Sequence, residues 1–176
     1  IDLEKVDWVK ELKNKRRGRI SEYADHFKNA EFHAGKRPWG VRADLAMPCA
    51  TQNEISADDA ATLLANGIIG VSEGANMPTD IKGIHKFLDA KILFGPAKAA
   101  NAGGVAMSGL EMSQNSERRS WSNEDLRNML RELMTGIHAR CAEEGTDKDG
   151  FCNYVAGANI AGFKKVANAM LAFGVV

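Results

Sequence analysis

Three apolar stretches in the middle of the chain each run into a small, polar, glycine-rich turn. They span residues 44–53, 68–76 and 92–104. Segments with apolar residues at helical spacing separate them, so the order is strand, turn, helix, three times over. This alternation is typical of parallel strands with helices on the faces of the sheet. Because ligands of open α/β sheets bind at the carboxyl ends of the strands, we expect a site at these turns.

Sequence motifs also predict where several helices begin and which of their residues are apolar. Ser56 with Asp59 three residues later predicts one helix N-terminus, and Ser122 with Asp125 predicts another. We expect a further helix to follow Gly104. Two long helices should close the chain, and their apolar positions are Leu126, Met129, Leu130, Leu133, Met134, Ile137 and Cys141 in the first, and Ile160, Phe163, Val166, Met170 and Leu171 in the second.

The composition of the chain argues against some classes of function. The 176 residues are 44% apolar and 26% charged, which is ordinary for a globular domain with a core. A net charge of zero gives no electrostatic case for a nucleic-acid partner, and no apolar run approaches the roughly 20 residues that span a membrane. The chain opens without an initiator methionine or a signal-peptide pattern, so we expect a piece of a longer, cytoplasmic protein.

The cysteines and histidines do not predict a metal centre. Cys49, Cys141 and Cys152 form an odd set without C-x-x-C spacing, which favours reduced thiols. Cys49 lies in the first turn and is either a reactive thiol or a small residue packing a tight turn. The absence of a basic neighbour in sequence favours packing. The four histidines fall in different elements, without the i, i+4 pair of a helical metal site.

Five motifs carry a resemblance to a known family. They are residues 48–54 (PCATQNE), 73–79 (EGANMPT), 98–105 (KAANAGGV), 108–115 (SGLEMSQN) and 157–163 (GANIAGF). In this order and spacing they resemble the C-terminal part of glutamate dehydrogenase, most of all the bacterial hexameric, NADP-linked branch. The catalytic lysine and aspartate of that family, and the first strand-turn-helix of its cofactor domain, are not among these residues.

The resemblance implies a fold and an activity. Residues 1–120 would form the second half of a Rossmann-like dinucleotide-binding domain, and residues 121–176 would form helices leading back to a substrate domain outside this chain. The parent protein would be a homohexamer that oxidatively deaminates L-glutamate to 2-oxoglutarate and ammonium with NADP or NAD. No nucleic acid or membrane partner is implied.

The resemblance also assigns site residues. Asn76 and Asn101 would lie near the nicotinamide ribose and carboxamide, since a side-chain amide donates and accepts hydrogen bonds at once. Ala50 and Thr51 would line the same groove. Ser108, expected at the start of a helix, would bind the distal carboxylate of glutamate. The alternatives from the residues alone are that the asparagines only stabilise turns, and that Ser108 is a nucleophile, although no G-x-S-x-G motif supports the latter.

The sequence departs from the usual pattern of that family at two positions. Ala97 stands where glycine is usual, which would strain its turn if a positive φ is needed there. Asp80 stands where a second threonine is usual, and a carboxylate is favourable in the first turn of a helix.

Two classes of function remain open at this point. The chain is either part of an enzyme or a non-catalytic half-domain that binds partners through its exposed sheet edge. In either case we expect residues 1–176 alone to self-associate, because unpaired strand edges recruit other chains. We also expect them to be inactive towards glutamate, with the catalytic residues absent.

Overall fold

A computed structural model describes residues 2–174, which divide after Arg37 into two compact units. The first unit begins with helix α1 (Leu3–Lys10), which continues into a π-helical turn (Glu11–Arg16). This segment ends where Arg17 adopts a left-handed conformation with φ of 57°. A short helix, α2 (Glu22–His26), follows.

The second unit is built on a three-stranded parallel sheet. Its strands are β1 (Leu45–Ala46), β2 (Gly70–Ser72) and β3 (Leu93–Gly95), in the order β1-β2-β3. One row of paired residues is Ala46, Val71 and Phe94. The predicted α/β fold with parallel strands is confirmed, although the strands are shorter than the apolar runs that revealed them.

One face of the sheet forms the core of this unit. The row Ala46, Val71 and Phe94 is buried in one apolar cluster with residues of α3 (Ala57–Ala65) and α4 (Ile81–Asp89). On α4, the Phe87 ring stacks on the Phe94 ring with centroids 5.7 Å apart. A 3-10 turn (Pro38–Gly40) brings in Trp39, and its Nε1 donates to the Glu54 carbonyl at 2.8 Å.

Side-chain caps set the helix boundaries. The capping boxes predicted at Ser56 and Ser122 are both formed. Asp80 caps α4 through Oδ1, which accepts from Gly83 N at 2.6 Å. Its second oxygen, Oδ2, accepts from Ala57 N at 3.1 Å, at the first residue of α3. The carboxylate at this position thus serves two helices, which a threonine hydroxyl alone would not reproduce.

The chain after β3 is helical almost to its end. The helices are α5 (Ala97–Ala100), α6 (Ala102–Glu117), α7 (Asn123–Gly145) and α8 (Tyr154–Phe173). The prediction that a helix begins after Gly104, with Ser108 at its start, is wrong. Gly103 and Gly104 are themselves helical, so Ser108 lies in the second turn of α6. Close packing accounts for this, because a Cβ at Gly103 would lie 3.1 Å from Leu130 Cδ1 on α7.

Helices α7 and α8 pack through glycines. A Cβ added at Gly157 would lie 2.0 Å from the Cys141 carbonyl oxygen, and one at Gly145 would lie 2.5 Å from the Asn153 carbonyl oxygen. The turn between them closes with an antiparallel bridge between Thr146 and Cys152. The two backbones therefore approach more closely than any side chain would allow.

Apolar side chains are exposed on α8 and on the second face of the sheet, among other places. The predicted stripe of α8 faces outward, with Phe163 71% and Met170 67% exposed. On the second face of the sheet, Leu45 and Leu93 are more than half exposed. Among the described residues, no helix combines the length and the apolar character needed to cross a membrane.

Candidate functional site

The turns that follow β1 and β2 are joined through one carbonyl group. The Pro48 oxygen accepts hydrogen bonds from Gly74 N at 3.0 Å and from Ala75 N at 2.9 Å. A Cβ at Gly74 would lie 2.5 Å from Cys49 Sγ, so a larger residue there would displace the Cys49 side chain. The contact between Gly74 and Cys49 favours the packing interpretation of this cysteine.

Further along, the same two turns run side by side. Asn53 N donates to the Met77 carbonyl at 3.1 Å, and Ile55 N donates to the Pro78 carbonyl at 2.9 Å. Asn53 and Met77 both adopt positive φ, at 52° and 42°. Paired unfavourable conformations of this kind persist only where the surrounding contacts hold them, and they concentrate at binding sites.

Ala50 and Thr51 lie exposed in the turn after β1. Their backbone N–H groups both point at Glu54 Oε1, at 2.9 Å and 3.3 Å. The Glu54 carboxylate therefore shapes this turn and leaves the two small side chains at the surface.

Asn76 and Asn101 come from adjacent turns. Asn76 is exposed in the turn after β2, and Asn101 is half-buried at the end of α5. Asn101 Nδ2 donates to the Ala75 carbonyl at 3.1 Å, which places its amide beside the residue that precedes Asn76. One amide N–H and the amide oxygen of Asn101 keep no partner among the described residues, so they are available to a ligand.

Ser108 lies apart from these turns. It is exposed on α6, seven residues after Asn101, which corresponds to about 10 Å along the helix axis. Its Oγ donates to the Gly104 carbonyl at 3.3 Å. It lines a cavity of about 280 Å³ whose other residues are Met107, Leu110, Glu111, Gln114, Trp121 and Leu126.

The turns depend on a residue that the sequence analysis did not single out, Glu73. Its side chain is only 2% exposed. Oε1 accepts from Thr79 N at 3.2 Å, and Oε2 accepts from Ala97 N at 2.7 Å. The available signal was a lone carboxylate directly after an apolar strand, since an acidic residue is almost never buried without partners. Ala97 itself is helical, so the alanine causes no strain.

A longer connection ties the site to the C-terminal helices. Lys98 Nζ on α5 donates to Asn159 Oδ1 on α8 at 2.5 Å. The motifs at residues 98–105 and 157–163 therefore meet in space, through two residues that are 61 apart in sequence.

The pKa values of Cys141 and Tyr154 are raised, which favours the neutral thiol and the neutral phenol. Burial raises the pKa of the Cys141 thiol, and burial together with Cys152 raises the pKa of the Tyr154 phenol. The Tyr154 hydroxyl lies 3.0 Å from His138 Nε2. A raised pKa favours the protonated, neutral form of each group. Within residues 2–174, no group of three or more His, Cys, Asp or Glu side chains is placed to hold a metal ion.

Comparison with known proteins gives consistent matches over nearly the whole chain. The family model described as Glutamate/Leucine/Phenylalanine/Valine dehydrogenase matches residues 2–174. The NAD(P)-specific glutamate dehydrogenase of Xylanibacter ruminicola is 57% identical over 175 residues, covering 99% of this chain. The NADP-specific glutamate dehydrogenase of Haemophilus influenzae is 52% identical over 173 residues, covering 98% of it.

A solved structure agrees with these sequences. The glutamate dehydrogenase of Plasmodium falciparum superposes with a TM-score of 0.93 at 43% identity, over 100% of this chain and 38% of that one. The chain likewise spans 39% of the Xylanibacter relative and 38% of the Haemophilus relative. It corresponds to about two fifths of the length of the proteins that it matches.

Proposed function

The chain belongs to the Glutamate/Leucine/Phenylalanine/Valine dehydrogenase family, and we propose that it is the C-terminal part of a glutamate dehydrogenase. The whole protein would oxidatively deaminate L-glutamate to 2-oxoglutarate and ammonium with NADP or NAD. One observation carries the choice of glutamate over the other amino acids: 57% identity over 175 residues to a relative named as NAD(P)-specific glutamate dehydrogenase. Because this relative is named as NAD(P)-specific, both NADP and NAD are to be tested as cofactors.

In this proposal the joined turns hold the nicotinamide end of the cofactor. Asn101, with a free amide oxygen and N–H, would bind the carboxamide, and Asn76 would contact the ribose. Ala50 and Thr51 would line the groove through small, exposed side chains. The bound cofactor would supply the hydride acceptor for the oxidation of the substrate. The side chains named here orient the ring and transfer no proton.

Ser108 would bind the distal carboxylate of glutamate. Its exposure on α6 and its place beside a cavity support this role. The hydroxyl has to turn from the Gly104 carbonyl, and the 3.3 Å separation makes that bond a weak one to lose.

The division of the chain is part of the same proposal. Residues 1–120 would complete a Rossmann-like cofactor domain, and residues 121–176 would return to the substrate domain. The exposed apolar stripe of α8 supports a covering partner of this kind, because contiguous exposed apolar residues mark contact surfaces. The parent would be a cytoplasmic homohexamer.

The test is a substrate panel on the full-length protein that contains this chain. Oxidation of L-glutamate, L-leucine, L-phenylalanine and L-valine is followed at 340 nm with NADP and with NAD. We expect glutamate to be preferred by far. Preference for another of these amino acids would reject the substrate assignment, and absence of turnover with all four would favour a non-catalytic half-domain.

A further inference from the structure

Glu73 has a position that the roles proposed above do not explain. We propose that Glu73 is a positioning residue: its carboxylate fixes α5 against the turn after β2 and so sets the place of Asn101 relative to Asn76. This inference rests on the proposed function for its catalytic consequence, but its structural part stands independently.

Each oxygen of the buried Glu73 carboxylate has a hydrogen-bond partner. Both oxygens accept backbone N–H groups, one from Thr79 at 3.2 Å and one from Ala97 at 2.7 Å. Ala97 is the first residue of α5, where the backbone N–H has no acceptor within its own helix. Ala97 is also buried, so removing the carboxylate would leave that N–H without a partner away from water.

Helix α5 is only four residues long. A helix of four residues has no stability of its own, so contacts at its ends decide where it lies. Both ends bond to the same turn. Glu73 holds the N-terminal end, and Asn101 Nδ2 holds the C-terminal end through the Ala75 carbonyl. The turn after β2 therefore places α5 at two points.

The two attachments differ in what else supports them. Thr79 is also held by a parallel bridge to Ile55, so its segment keeps a second anchor when Glu73 is changed. At the N-terminal end of α5, the Glu73 carboxylate is the acceptor for the Ala97 N–H. Gly95 before it is held by the Glu73 backbone N–H, and Lys98 after it bonds to Asn159 on α8. Loss of the carboxylate should therefore loosen the first turn of α5 and shift Asn101, while the turn containing Asn76 stays close to its place.

The consequence for binding is selective. Under the proposed function, Asn76 and Asn101 contact the nicotinamide end of the cofactor, and the adenosine end lies on other residues. A displaced Asn101 weakens NADPH binding and misplaces the ring for hydride transfer, but it does not change binding of an adenosine-only probe. General destabilisation of the fold would weaken both.

The experiment compares Glu73→Gln, Glu73→Ala and the control Glu132→Gln in the full-length protein. Glu132 is exposed on α7 and lies far along the chain from these turns. Dissociation constants are measured for NADPH by fluorescence and for ADP by calorimetry, at a temperature where each variant is fully folded. The Gln oxygen accepts one N–H while its NH2 group faces the other, so this variant should keep one of the two attachments.

We expect Glu73→Ala to raise the dissociation constant for NADPH and lower kcat by roughly tenfold or more, since small displacements near reacting atoms are costly. Glu73→Gln should lie between Glu73→Ala and the unchanged protein, with ADP binding unchanged in all variants. Hydrogen exchange of the peptide containing residues 97–101 should accelerate in both Glu73 variants only. If Glu73→Ala does not fold, Glu73→Gln carries the same comparison.

Each other outcome has a definite meaning. Equal weakening of NADPH and ADP, or unchanged exchange at residues 97–101, would overturn the positioning role. Accelerated exchange with unchanged NADPH binding and kcat would overturn its catalytic consequence. A parent protein that neither binds NADPH nor oxidises glutamate would reject the proposed function instead, and the exchange measurement would still decide whether Glu73 holds α5.

Discussion

At the scale of single residues, Asp80 shows how one side chain can join two elements. Its two oxygens accept from Gly83 N at 2.6 Å and from Ala57 N at 3.1 Å, so it caps α4 and also holds the start of α3. Both helices cover the buried face of the sheet. The carboxylate therefore contributes to stability through backbone groups rather than through another charge.

We expect Asp80→Ala to destabilise the protein by about 1–3 kcal/mol, because a helix cap and a second charge-assisted bond are lost together. Asp80→Asn should recover most of this, since its amide oxygen still caps α4. Asp89→Ala at the exposed end of α4 is the control, and removing a carboxylate near a helix C-terminus should be neutral or slightly stabilising. Differential scanning calorimetry measures all three, and equal melting temperatures for Asp80→Ala and Asp89→Ala would contradict the role.

Ser108 permits a kinetic test at the same scale. If its hydroxyl binds the distal carboxylate, Ser108→Ala in the full-length protein should raise the KM for glutamate more than it lowers kcat. One hydrogen bond to a charged group is worth about 1.5–3 kcal/mol, or roughly ten- to a hundredfold in KM. Ser113→Ala, on the same helix and bonded to the Gly109 carbonyl in the same way, is the matched control. An unchanged KM in Ser108→Ala would remove Ser108 from the substrate site.

At the scale of elements, the contact between α7 and α8 depends on the lack of side chains. Gly157 has the Cys141 carbonyl oxygen where a Cβ would otherwise lie, and that oxygen belongs to the backbone and cannot rotate away. Any larger residue has to push the two helices apart.

Gly157→Ala is therefore expected to destabilise the protein by about 1–3 kcal/mol or more, although alanine is the better helix former. Gly162→Ala on the same helix is the control. A Cβ there meets nothing within 4 Å, so this change should stabilise by roughly 0.5–1 kcal/mol. Chemical denaturation of both variants gives the comparison, and a stabilising Gly157→Ala would show that the helices do not pack as described.

Local signals were enough to predict most elements, and contacts between distant segments explain what was missed. The capping boxes at Ser56 and Ser122 depend on residues three apart, so they are legible in the sequence. The start of α6 was placed too late because Gly103 is a poor helix former by itself and is helical through its packing on α7. Glu73 was missed because its partner Ala97 lies 24 residues away. The sequence predicts a site at the turns, and it does not reveal the carboxylate that joins the turn after β2 to α5.

At the scale of the whole molecule, the exposed surfaces decide how the chain behaves alone. Apolar side chains are exposed on the sheet, at Leu45 and Leu93, and on α8, at Phe163, Met170 and Leu171. We expect other parts of the full-length parent protein to cover them. The outer edges of β1 and β3 are also unpaired within the described sheet.

Residues 1–176 expressed alone should therefore fold in part, self-associate, bind NAD(P)H weakly and fail to oxidise glutamate. Light scattering coupled to gel filtration measures the association, and fluorescence titration with an activity assay measures the rest. Fusion of the preceding part of the parent protein is the positive control. Tight cofactor binding with measurable turnover by residues 1–176 would show that the active site has been misplaced.

The bond between Lys98 and Asn159 has a mechanical consequence. Gly157 and Gly145 bring the backbones of α8 and α7 into close contact, so we expect the two helices to move together. Asn159 lies on α8, and Lys98 Nζ on α5 donates a hydrogen bond to its Oδ1 at 2.5 Å. A displacement of α8 would therefore either break the bond from Lys98 or move α5 with it. Asn101 directly follows α5, so a movement of α8 that carried α5 with it would also shift the Asn101 amide.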